Sequence, residues 1–224
     1  MAPSLKPIKA YGKAGPNPPK VIAILEELGL PYEVVDIPFS DVKKPVYTVV
    51  NPNGRLPAIY DPNTDLTLWE SGAIIEYLVE TYDKANKLSF PKGSNESYLT
   101  KQWLYYQTTG QGPYYGQAVW FTKYHPEKVQ SAVDRYVNEI LRVTAVVEGH
   151  LAQEKAKAIG SDGPWLVGGR ITFADIAWYK WQSAIAPALG DVITFDAYPN
   201  VKDWLARLAA RPGIKAADEL ANAS

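Results

Sequence analysis

The sequence predicts a two-part chain: an α/β domain of order β-α-β-(α)-β-β-α, followed by an all-helical domain. Three observations predict this. Two short strand-like runs flank one helical stripe, a second pair of strand-like runs flanks a turn, and no alternating pattern follows Glu96.

Ile8–Tyr11 and Tyr32–Ile37 read as the first strands. Between them Val21, Leu25 and Leu28 recur at helical spacing, and Gly29 and Pro31 close the stripe. The interval is long enough for a crossover helix, so the two strands can be parallel. A short helix is weakly signalled around Val42–Val50. LPAIYD (56–61) and LTLW (66–69) read as strands around Asp61, Pro62 and Asn63, and a helix follows with Ile74, Ile75, Leu78 and Tyr82 on one face. Ala85–Asn95 is polar and carries Pro91 and Gly93, which marks it as the linker. The domains are therefore expected at 1–87 and 95–224. Beyond the linker, Val129, Val133, Val137, Ile140, Val143, Val147 and Leu151 form one long stripe. The box 172-TFAD-175 reads as a structural start signal, in which Asp175 reaches back to a backbone N–H at Thr172.

Composition excludes several chemistries. The chain has 224 residues and no cysteine, so thiolate metal sites and cysteine nucleophiles are absent and any thiol must come from outside. A net charge of −1 and a pI near 6.2 argue against a nucleic-acid binder or a partner of acidic membranes. No run reaches the roughly 18 apolar residues of a membrane span, and the N-terminus lacks a secretory apolar core, so the expected address is the cytoplasm. His125 and His150 are the only histidines and read as surface or helix-end residues, so no metal is expected. No G-x-S-x-G elbow is present. The stretch 108-TTGQGPYYGQ-117 lies in a helical region and follows no strand, so it reads as a helix kinked at Pro113 with close packing at its glycines.

Two stretches look like a binding site. In 51-NPNGRLPA-58 a cis Leu56–Pro57 bond at a strand entry would present the Leu56 backbone. In 69-WESGAIIEYL-78 Ser71 and a helix start form a natural carboxylate seat. Core packing accounts for most of the aromatic cluster from Trp103 to Tyr124. The candidates for lining an apolar pocket are Tyr114, Tyr115, Trp120 and Phe121.

NPNGRLPA, WESGAI, the helical second half and the TFAD box together resemble a cytosolic glutathione transferase over essentially the full chain. GPN before the first helix, GxGPxxGQ (110–117) and AxxRYxxExxR (132–142) resemble the branch of nitrogen-regulator-like fungal and bacterial Nu-class members. The resemblance implies a thioredoxin-like glutathione-binding domain and a helical domain that forms the second-substrate pocket. It also implies a homodimer and glutathione as co-substrate. Leu56, with Pro57, would pair its backbone with the cysteinyl unit. Glu70 and Ser71 would hold the γ-glutamyl amine and carboxylate, Arg55 would lie beside the glycyl end, and Arg135 would reach across a dimer interface. The polar position for the glycyl carboxylate falls on Val42, so Lys44 or Lys43 would take that role unless both are merely solvated.

The same resemblance makes Asn17 the residue that hydrogen-bonds the glutathione sulfur, with Tyr11 the rival donor and Lys13 a weaker one. A free thiol is only about 3% thiolate at pH 7, and lowering its pKa by about two units requires roughly 2.7 kcal/mol. A charge-assisted hydrogen bond contributes about 1.5–3 kcal/mol and a helix N-terminus up to about 2, so the two together suffice. The expected function is activation of the glutathione thiolate for attack on apolar electrophiles, peroxides or disulfides, in detoxification, peroxidase or disulfide-reductase chemistry. The alternatives are a disulfide reductase with little conjugating activity and a non-catalytic ligand-binding or regulatory member of the fold.

Overall fold

A computed structural model describes residues 4–157 and 163–223. Along the chain run β1 (Ile8–Tyr11), α1 (Pro18–Leu28), β2 (Tyr32–Val35), α2 (Pro45–Thr48), β3 (Ala58–Asp61), β4 (Leu66–Trp69) and α3 (Ser71–Tyr82). Then come α4 (Asn95–Tyr106), a π-helical turn (Gln107–Gln111), α5 (Gly112–Lys123), α6 (Gln130–Lys157), α7 (Phe173–Leu189), α8 (Pro199–Ala209) and α9 (Pro212–Asn222). Two units result: one runs to Lys87 and takes in the chain from Ala210 onward, and the other spans Leu88–Ala209.

In the first unit the sheet order is β2-β1-β3-β4. β1 pairs parallel to β2, from Ile8 opposite Tyr32 to Tyr11 opposite Val35, and antiparallel to β3. The parallel pair needs a crossover, and α1 provides it. Gly29 ends α1 at φ 66°, where its N–H and that of Leu30 bond the carbonyls of Glu26 and Leu25. β2 stops two residues short of the expected Ile37 because β1 offers only four partners. β3 begins at Ala58, after Pro57, which has no N–H for a ladder. The weakly signalled helix near Val42–Val50 is the single turn α2.

The expected helical domain 95–224 differs from the observed units at both ends. α9 packs along α1 and belongs with the first unit. Its anchor is Glu27, 5% exposed, which accepts bonds from Arg211 Nη2 at 2.5 Å and Nε at 3.2 Å and from the Gly213 amide at 3.3 Å. At the other end, the polar stretch read as a linker hides Leu88 and Ser89 in the second unit. There the Phe173 N–H donates to Leu88 O at 2.9 Å, and the Arg170 guanidinium bonds Ser89 O and lies 4.2 Å from the Phe90 ring centre.

The second unit is helical throughout its described residues, apart from an isolated bridge between Val167 and Arg170. The TFAD box opens α7 as expected: Asp175 is buried and accepts from the Thr172 N–H at 2.8 Å, the Leu166 N–H at 3.0 Å and Trp204 Nε1 at 3.0 Å. The kink expected at Pro113 is the π-helical turn just before it. A buried polar cluster fixes that turn. Gln111 Nε2 donates to Gln182 Oε1 at 3.1 Å, Tyr115 Oη donates to the same oxygen at 2.9 Å, and Gln182 Nε2 donates to Thr144 at 3.1 Å. Every member is bonded, which specifies one arrangement of the π-helical turn, α5, α6 and α7.

Removing Arg211 leaves a buried carboxylate without its counter-charge. Arg211→Ala is expected to destabilise the chain by about 3 kcal/mol, read as a lowered urea midpoint.

Candidate functional site

The turn between β1 and α1 is set by glycine at positive φ. Gly12 has φ 88°, and a Cβ there would meet the Leu56 side chain at 2.7 Å. The turn therefore lies directly on the loop that enters β3. That loop is held from below: Tyr47, fully buried on α2, donates to Arg55 O at 2.8 Å, and Asn51 Nδ2 donates to the same carbonyl at 2.6 Å. Asn51 Oδ1 also accepts the Asn53 N–H at 2.9 Å. Gly54 has φ 58°, and a Cβ there would lie 2.6 Å from Val42 O, so the loop closes only with glycine at this position. The Leu56–Pro57 bond is cis, as the sequence led one to expect.

Two cavities in the first unit share Asn17, Arg55 and Leu56. The larger, of about 310 Å³, has mostly apolar walls including Phe39, Val42 and Pro16, with Lys43 and Arg55 as its cations. The smaller, of about 80 Å³, is polar, with Asn51, Glu70 and Ser71. Asn17 stands where they meet, as the N-cap of α1, and its side chain does not cap that helix.

The first turn of α1 differs from the expectation in one respect. Pro18 and Pro19 have no N–H, and the Lys20 N–H is bonded to Asn17 O at 3.2 Å. The helix end therefore offers an anion a weaker set of donors than an ordinary N-terminus.

Ser71 is buried as the first residue of α3, whose opening amides have no acceptor within the helix. Glu70 precedes it with φ 73°, unusual for a residue with a side chain, and does not cap the helix. Behind these lies Lys20, 3% exposed. Burial pushes its ammonium down to about 7, and the Glu70 carboxylate opposes that shift.

The other expected residues fall as follows. Tyr11 closes β1, with its ring 6.2 Å from that of Tyr47, and borders neither cavity. Lys13 is paired with Asp36 at 3.1 Å. Lys44 is turned to Asp41 at 2.5 Å, and it is Lys43 that borders the larger cavity. Arg135 is exposed on α6. Trp120 is exposed on α5, Tyr114 is half-buried, and Phe121 stacks on Tyr136 with centres 5.7 Å apart. Tyr115, expected to line a pocket, has no exposed surface, because its hydroxyl belongs to the Gln182 cluster. His125 Nδ1 accepts the Glu127 N–H, and His150 Nε2 lies 2.7 Å from Leu166 O. Sequence reasoning missed Lys20, Asn51 and Tyr47. Lys20 had a signal, since it is a cation in the first turn of a helix that is apolar from Val21 to Leu25.

Residues 11–86 match the glutathione S-transferase N-terminal domain, and residues 113–212 match the glutathione S-transferase C-terminal domain. A glutathione S-transferase-like protein of Aspergillus fumigatus, tpcF, is 59% identical over 95% of each chain. Among solved structures, the glutathione transferase URE2P6 of Phanerochaete chrysosporium, in complex with oxidized glutathione, is 45% identical over 98% of each chain with a TM-score of 0.87. A glutathione transferase homologue of Lodderomyces elongisporus, solved with two GSH per subunit, is 37% identical over 96% of this chain and 99% of its own, with a TM-score of 0.88. Together with the β-α-β-α-β-β-α unit and the helical unit that follows it, these matches establish that the chain belongs to the glutathione S-transferase family, beside its Ure2-like fungal members.

Proposed function

We propose that the protein is a glutathione-dependent transferase that binds glutathione across the two cavities and activates its sulfur at Asn17. The observation that carries this reading is that Asn17 borders both cavities while Tyr11 borders neither. The charges suit the tripeptide. Glu70 faces its ammonium, Ser71 and the start of α3 take the γ-glutamyl carboxylate, Leu56 pairs with the cysteinyl backbone, and Lys43 with Arg55 takes the glycyl carboxylate. The resulting thiolate attacks an electrophilic carbon, a peroxide oxygen or a disulfide sulfur. Arg135 serves the corresponding site in a second copy, and Tyr114, Trp120 and Phe121 meet the second substrate. A thiol co-substrate that must stay reduced fits the cytoplasm.

A second reading is favoured by the ligands of the neighbours, oxidized glutathione in one and two GSH in another. On this reading the thiolate attacks one sulfur of a disulfide, a new sulfur–sulfur bond forms, and the other sulfur leaves as a thiolate. No further reductant enters that step.

Asn17→Ala is expected to raise the pKa of bound glutathione by about 1–2 units, the equivalent of one charge-assisted bond, and Tyr11→Phe by less than about 0.5. Thiolate absorbance followed against pH decides between them, and a larger effect at Tyr11 would overturn the assignment of Asn17. For the glycyl end, Lys43→Ala should weaken glutathione binding about fivefold in calorimetry, whereas Lys44→Ala should change it by less than about twofold.

A further inference from the structure

The Arg55–Leu56 peptide bond is trans, so the Arg55 C=O and the Leu56 N–H lie in one rigid plane and point in opposite directions. The carbonyl end of that plane is fully engaged. A carbonyl oxygen has two lone pairs, and here Tyr47 Oη at 2.8 Å and Asn51 Nδ2 at 2.6 Å donate to them. At the other end, the Leu56 N–H takes no partner among the described residues, and Leu56 borders both cavities. A backbone N–H in such a place calls for an acceptor from outside the chain. Tyr47 has no exposed surface and borders neither cavity, so its hydroxyl reaches a ligand only through the peptide that it holds.

We propose that Tyr47 and Asn51 are positioning residues: by fixing Arg55 O from one side they aim the Leu56 N–H into the cavities, where it donates to the cysteinyl carbonyl of glutathione. This rests on Leu56 being the partner of the cysteinyl unit. Two consequences follow from the same plane. Arg55 O has no lone pair left for the ligand, so the cysteinyl N–H finds its acceptor in Leu56 O. The two bonds into the carbonyl also polarise the peptide, which makes its N–H a stronger donor.

The test is calorimetry of the full chain with two probes: glutathione, and an isostere in which a trans CH=CH replaces the cysteinyl–glycyl amide and so removes the carbonyl acceptor. The wild-type chain should bind the isostere about fivefold more weakly, the worth of one hydrogen bond. Tyr47→Phe keeps the ring and removes the donor. It should weaken glutathione about threefold and the isostere by less than about 1.5-fold, because the isostere never used the aimed N–H. The pKa of the bound thiol should stay within about 0.3 of wild type, since the sulfur is served by Asn17. If Tyr47→Phe fails to fold, Asn51→Ala carries the same comparison of the two probes. Equal losses for both probes mean a general loosening of the loop and overturn the positioning role, as does unchanged glutathione binding. Equal affinity of the wild-type chain for the two probes overturns the pairing of Leu56 with the cysteinyl unit itself.

Discussion

The site depends on the burial of α1. From Pro18 to Leu25 every residue of that helix is buried, so each polar group along it needs a partner that some other part of the chain supplies. Glu27 near its end requires Arg211 and so draws α9 onto the first unit. Lys20 near its start is enclosed, and burial pushes its ammonium down to about 7 against the opposing pull of Glu70. Asn17, just before its first turn, stands where two cavities meet. One helix thus carries, in order, a residue that borders both cavities, an enclosed cation and the anchor of the terminal segment.

The opposite wall of the site is a loop fixed by its own carbonyl. Tyr47 and Asn51 both donate to Arg55 O, which holds the backbone just ahead of Leu56, while Gly12 and Gly54 allow the approach of chains that a Cβ would keep apart. A buried tyrosine and asparagine are costly unless bonded, and here both bond the same oxygen. The polar cluster in the second unit follows the same logic, with Gln182 joining Gln111, Tyr115 and Thr144 across three helices.

Most of the fold was legible because apolar spacing reports burial directly. Val21, Leu25 and Leu28 announced α1, Ile74, Ile75 and Leu78 announced α3, and TFAD announced α7. What escaped was the part set by tertiary partners. Leu88 is one apolar residue in a polar stretch, so its anchoring to Phe173 left no periodic trace. The membership of α9 rests on its packing along α1 and on an ion pair between Arg211 and Glu27, residues far apart in sequence. At the site, NPNGRLPA and WESGAI marked the right loops, yet spacing could not separate Lys43 from Lys44, since which of two adjacent lysines turns to Asp41 is decided by local geometry. Two features could have been read and were not: the consecutive prolines that strip amides from the start of α1, and the lysine that follows them.

The pairing of α9 with α1 also orders events during synthesis. α1 is made within the first thirty residues, but the helix that covers it begins at Pro212. At about 5–20 residues per second, the nascent chain carries an uncovered α1 for roughly ten seconds or more while the second unit is being made. The first unit is therefore completed only after the second has been made, and its apolar helix depends over that interval on the sheet, on α3 and on whatever holds the emerging chain.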